Sequence, residues 1–151
     1  MAIEWIVVHC SATPPSMDIG ADTIREWHTS PSPSDPSKPW RDIGYNYVIR
    51  RDGTVEAGRS EGETLAHARG FNTNSIAICL VGGVNEHKAP QANFTGEQGA
   101  TLRAFLTWME RRYPGAKIRG HRDLGANKDC PSFDVKEWRA SGHFTKPRKS
   151  D

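Results

Sequence analysis

The apolar residues of this chain fall in short runs and stripes whose period changes along its length, and each change marks an element. Ile3 to His9 is β-branched and apolar with few breaks, which predicts a buried strand. Ser11 to Gly20 carries Pro14 and Pro15 and predicts a loop. Ile24, Trp27 and His28 then follow helical spacing behind Asp22, so a short helix is expected over 22–29 with Asp22 as its cap. Ser30 to Pro39 holds four prolines and four serines in ten residues and can only be an irregular surface loop. Tyr45–Arg50 and Thr54–Ala57 flank Asp52-Gly53, the signature of a tight hairpin. Ser75 to Val81 is a second continuous apolar run, closed by Gly82-Gly83.

The clearest helix is expected from Gly96 to Tyr113. Leu102, Phe105, Leu106, Met109 and Tyr113 form its apolar stripe, Thr95 and Gln98 its capping box, and Pro114-Gly115 its stop. A strand near Lys117–Arg119 and a short helix over 134–140 complete the pattern. Strands interleaved with helices predict an α/β fold: a single domain, 1–142, with a central mixed β-sheet flanked by helices. Residues 143–151 read as a basic C-terminal tail.

Composition narrows the function classes. At 151 residues the chain is one domain long and buries enough surface, roughly 68–70%, to fold without staples. Twenty Lys and Arg against eighteen Asp and Glu leave a net charge of +2, too little for a dedicated nucleic-acid binder. No apolar run reaches the ~18 residues of a membrane span, and the first residues lack the pattern of a secretory signal. Three cysteines exclude a fully paired disulfide framework.

Three residues carry candidate chemistry: His9 at the end of the first strand, His121 after a late strand, and Cys130 nine residues beyond it. Strand ends are where α/β folds place their sites. Two imidazoles and a thiolate match a catalytic zinc site, which keeps a fourth position open. Spacing leaves other readings standing. Cys130 can be a thiol nucleophile with His121 as its base, or all three can be packing and surface residues. Cys10 and Cys79 read as core, His28 as packing, and His87 and His143 as solvated.

Five blocks in order carry a resemblance: Val8–Thr13, Asp42–Tyr47, Arg51–Arg59, Asn74–Gly83 and Lys128–Asp134. Together they resemble the zinc-dependent N-acetylmuramoyl-L-alanine amidases of the type 2 amidase family, whose fold is shared with peptidoglycan recognition proteins. The likeness is greatest to the short single-domain bacteriophage lysozymes and runs from about Ile3 to Trp138. It implies one zinc held by His9, His121 and Cys130, with Tyr45 and Lys128 as catalytic residues. His67 and Ala68 match positions lining the substrate groove. No counterpart is found for the glutamate that many relatives use as a proton acceptor.

The residue types suit hydrolysis of an amide. Zinc polarises a carbonyl and acidifies water toward a pKa of ~7, a lysine meets the oxyanion, and a tyrosine orients or deprotonates the water. The resemblance thus implies a monomeric peptidoglycan hydrolase made in the host cytoplasm and released through a separate membrane-permeabilising protein. No stable membrane insertion and no specific nucleic-acid binding are expected. A muropeptide-recycling amidase and a non-catalytic peptidoglycan-binding module are the competing readings, and the second typically lacks a zinc ligand. Some phage relatives bind RNA polymerase; the short segment before His9 predicts no such contact.

Overall fold

The computed structural model describes residues 2–144. Five strands form one sheet: β1 (Trp5–Cys10), β2 (Tyr47–Ile49), β3 (Val55–Ala57), β4 (Ser75–Leu80) and β5 (Lys117–Gly120). Three helices, α1 (Ala21–His28), α2 (Gly96–Arg112) and α3 (Val135–Ser141), complete the domain, with a 3₁₀ turn at His121–Leu124. The sheet order is β3-β2-β4-β1-β5, and only the β2–β3 hairpin is antiparallel. It is therefore the mixed sheet that the hairpin signal predicted.

β4, at the centre of the sheet, is buried along its whole length, and β1 beside it is buried from Ile6 to Cys10. Alternation sorts their side chains. Ile6, Val8, Ile76, Ile78 and Leu80 pack with Leu102, Leu106 and Met109 of α2 and with Val135 and Trp138 of α3. Cys79 and Val81 pack with Val48, Ile43 and the Ala21 and Ile24 side chains of α1. The large core also takes in Phe144, which stacks with Trp138 at 5.6 Å and meets Phe133 edge-on at 4.9 Å. The remainder of the expected tail, 145–151, lies outside the described residues.

α2 has its expected capping box: Thr95 Oγ1 accepts from Gln98 N at 3.0 Å, and Gln98 Oε1 accepts from Thr95 N at 2.9 Å. Tyr113 caps this helix at its end instead of extending it. α1 departs from expectation at its start. Gly20 occupies the cap position with no side chain to offer, and the Glu56 carboxylate accepts the Ala21 N–H at 2.7 Å. Asp22 sits in the first turn, where its charge favours the dipole and pairs with Arg25.

α1 also holds the segment that leads into β2. His28 Nδ1 accepts the Gly44 N–H at 2.9 Å, and the His28 carbonyl accepts Trp40 N at 2.8 Å. A Cβ on Gly44 would stand 2.0 Å from the Ala66 carbonyl oxygen, so only glycine lets these backbones meet. Burial depresses His28 to about 4. Its ordinary value is ~6.5, so between about pH 6.5 and 4 the unfolded chain takes up a proton that the folded chain refuses. Stability is therefore expected to fall as pH drops through that window. Urea midpoints at pH 7 and pH 5 measure the fall, and His28→Asn, which keeps an acceptor near Nδ1 but does not titrate, is expected to make it shallower.

Candidate metal centre and groove

Parallel pairing brings the three candidate ligands together. β1 and β5 run the same way with Val8 opposite Gly120, so His121, the next residue, comes level with His9. Their ring centroids are 4.5 Å apart. Cys130 is tied back to both strand ends: its carbonyl accepts Arg122 N at 2.8 Å and its Sγ accepts Cys10 N at 3.2 Å. Ser132, two residues on, donates its hydroxyl to the Gly83 carbonyl at 2.7 Å and anchors the loop beyond. Cys10 itself is buried, with its Sγ 4.0 Å from Ser132 Oγ.

The donor atoms of His9, His121 and Cys130 all lie within 4.8 Å of one another, and His9 Nδ1 stands 3.7 Å from Cys130 Sγ. A tetrahedral zinc with nitrogen and sulfur ligands sets its donors roughly 3.3–3.6 Å apart, so the cluster fits with small adjustments. Its chemistry fits as well. Burial holds His9 well below its ordinary value, and burial together with Lys128 holds His121 at about 4, so both imidazoles are neutral donors at pH 7. Two imidazoles and one thiolate suit a borderline-soft cation better than a hard one.

The imidazole in hydrogen-bond contact with Cys130 Sγ is that of His9, at 3.7 Å, and not the His121 that the thiol-nucleophile reading requires.

An open groove of about 980 Å³ runs past the cluster. Asp35, Ser37 and Trp40 line it together with Ala66 to Arg69, His121 and Leu124 to Lys128. The Ser30–Pro39 loop is thus a groove wall. Lys128 is exposed on this surface, close enough to His121 to depress it. Asp35 is the single carboxylate of the lining, and Ser37 N–H and O–H bonds hold its pKa down. It closes a turn by accepting from Ser37 N–H and O–H.

Tyr45 lies on the inner side, its ring 5.0 Å from the His9 ring, and is not part of the groove lining. Burial raises its phenol well above the ordinary value. A deprotonating role for this hydroxyl therefore needs a cation at the neighbouring cluster to lower its pKa, whereas an orienting role does not. Asn46, which sequence reasoning did not single out, fixes this segment. It is buried, accepts Ala77 N at 2.8 Å through Oδ1, and donates to the Arg59 and Ser60 carbonyls.

His67 and Ala68 do line the groove, and several of their polar groups are already engaged. The His67 ring is engaged on both sides, Nδ1 with His9 Nε2 at 2.7 Å and Nε2 with Ser75 Oγ at 2.6 Å. Ala68 donates its N–H to Asn72 Oδ1 and its carbonyl accepts Phe71 N. Both residues shape the groove surface.

With the cluster and groove in place, comparison with known proteins identifies the family. The family model described as N-acetylmuramoyl-L-alanine amidase matches residues 1–133. The chain belongs to the N-acetylmuramoyl-L-alanine amidase family. An endolysin of Enterobacteria phage T3 is 47% identical over 135 residues, covering 89% of this chain and 84% of that protein. An endolysin of Escherichia phage T7 shows the same identity and coverage. Among solved structures, an endolysin N-acetylmuramoyl-L-alanine amidase from Clostridium intestinale superposes with a TM-score of 0.74 at 25% identity, covering 96% of this chain and 86% of that one. The family's single-domain α/β architecture is the one seen here.

Proposed function

We propose that this amidase is a zinc-dependent endolysin that hydrolyses the amide between the lactyl group of N-acetylmuramic acid and the L-alanine of the stem peptide. The observation that carries the reading is the meeting of His9, His121 and Cys130 beside an open groove, with all three donors retained. A module that only binds peptidoglycan has no use for a complete donor set. The named phage relatives, endolysins that share 47% of residues, favour wall lysis over muropeptide recycling.

Bound zinc supplies Lewis acidity, polarising the scissile carbonyl and acidifying water. The chain's own residues do the rest. Lys128 presents its ammonium group where negative charge develops on the carbonyl oxygen. Tyr45, whose ring lies 5.0 Å from that of His9, orients or deprotonates the attacking water. The groove walls, including the Ser30–Pro39 loop, hold the stem peptide in register with the cluster. Among the described residues, no helix is long and apolar enough to cross a membrane. In this reading the protein is made in the host cytoplasm, acts as a monomer, and reaches the wall through a separate membrane-permeabilising protein.

Mass analysis of digested peptidoglycan is the test. Free lactyl carboxylates and new L-alanine amino termini are expected, with activity lost to a strong chelator and restored by zinc. Products cut elsewhere, or chelator-resistant cleavage, would sink the reading. Faster turnover of soluble muropeptides than of intact sacculi would favour the recycling enzyme.

A further inference from the structure

A chain of hydrogen bonds leads away from the metal centre and ends on a group that can only accept. The Phe71 carbonyl oxygen lies 2.5 Å from Ser75 Oγ, and a carbonyl has no proton, so the Ser75 hydroxyl spends its only one there. Ser75 Oγ must then accept from His67 Nε2, 2.6 Å away. A neutral imidazole protonated on Nε2 has a bare Nδ1, and that atom lies 2.7 Å from His9 Nε2. His9 is therefore protonated on Nε2, which leaves its Nδ1 lone pair facing Cys130 Sγ at 3.7 Å.

We propose that His67, backed by Ser75 and the Phe71 carbonyl, is a positioning residue that fixes the ring and tautomer of His9 so that Nδ1 is offered to the metal. The inference rests on the zinc reading above and gives His67 a task that its expected contact with substrate did not include. Outer partners of this kind orient metal-binding histidines and raise their basicity. The surrounding loop is built to hold the chain of bonds. Asn72 Oδ1 accepts both His67 N at 2.9 Å and Ala68 N at 3.1 Å, and Phe71 N closes a turn onto the Ala68 carbonyl at 2.9 Å. The Phe71 ring packs edge-on against Trp5 of β1, so the terminal carbonyl is anchored to the strand that carries His9.

The test reads the tautomer and the metal separately. In the zinc-free protein, ¹⁵N NMR of the imidazoles is expected to show His9 protonated on Nε2, and His67→Ala is expected to show a mixture. Competition against a chromogenic chelator is expected to find zinc bound ~10–100-fold more weakly by His67→Ala. His67→Asn sets a side-chain oxygen close to the lost Nδ1 and should recover most of that affinity, while Ser75→Ala should lose a smaller factor. A merely structural role would lower the unfolding midpoint of the Ala and Asn variants alike and give no such rescue. Wild-type His9 protonated on Nδ1, or unchanged zinc affinity in a folded His67→Ala, would overturn the inference and leave the zinc reading intact. Failure of the wild type to bind zinc at all would overturn both, whatever the tautomer.

Discussion

Cys130→Ser is expected to give a folded protein that holds little zinc and lyses nothing measurable. The serine hydroxyl can still accept the Cys10 N–H that Cys130 Sγ accepts at 3.2 Å, so the loop keeps its anchor. What disappears is the thiolate, and a hydroxyl is a poor ligand in its place. Losing an outer partner of a ligand already costs ~10–100-fold in metal affinity, so losing the ligand itself should cost more than ~100-fold. Zinc content, far-UV circular dichroism and initial rates on purified peptidoglycan, taken on one preparation, check all three parts. Full zinc occupancy in the variant would remove Cys130 from the ligand set.

The second large effect separates chemistry from metal binding. Tyr45→Phe keeps the ring packed 5.0 Å from His9 and deletes only the hydroxyl. Lys128→Met keeps most of the stem of an exposed side chain and deletes its charge. Each variant is expected to stay folded and zinc-loaded while losing ~10²–10³ in turnover, the usual cost of one transition-state contact. Affinity for cell walls should change little, because both groups act where charge or a proton moves and the groove walls remain. Rates near wild type in both variants would mean that these two roles are misplaced. Removing the Lys128 charge should also let the His121 pKa rise, since that ammonium helps hold it down.

The elements that rest on local pattern were legible in the sequence. β1 and β4 showed as continuous apolar runs, α2 as a stripe with its capping box, and the hairpin as Asp52-Gly53, whose glycine takes a φ of +88°. What the pattern lacked was partnership between distant residues. The cap of α1 comes from Glu56, a residue of β3, and no reading of 20–28 alone can find it. The site divides the same way. His9, His121 and Cys130 were candidates by residue type, but their convergence depends on the parallel β1–β5 register. The family resemblance gave His67 to the substrate groove, which it does line. Its ties to His9 and Ser75 exist only once Asn72 has folded the intervening loop.

The strand order also bears on when, during translation, the donor cluster can form. Residue 9 leaves the ribosome more than a hundred residues ahead of 121 and 130, and β1 comes level with His121 by pairing with β5. A product that stalls before residue 121 carries the loop wall of the groove and one donor of the three. Assembly of the metal centre thus waits on β5 and the 121–130 segment, and chains cut short of them are expected to take up no zinc at this site.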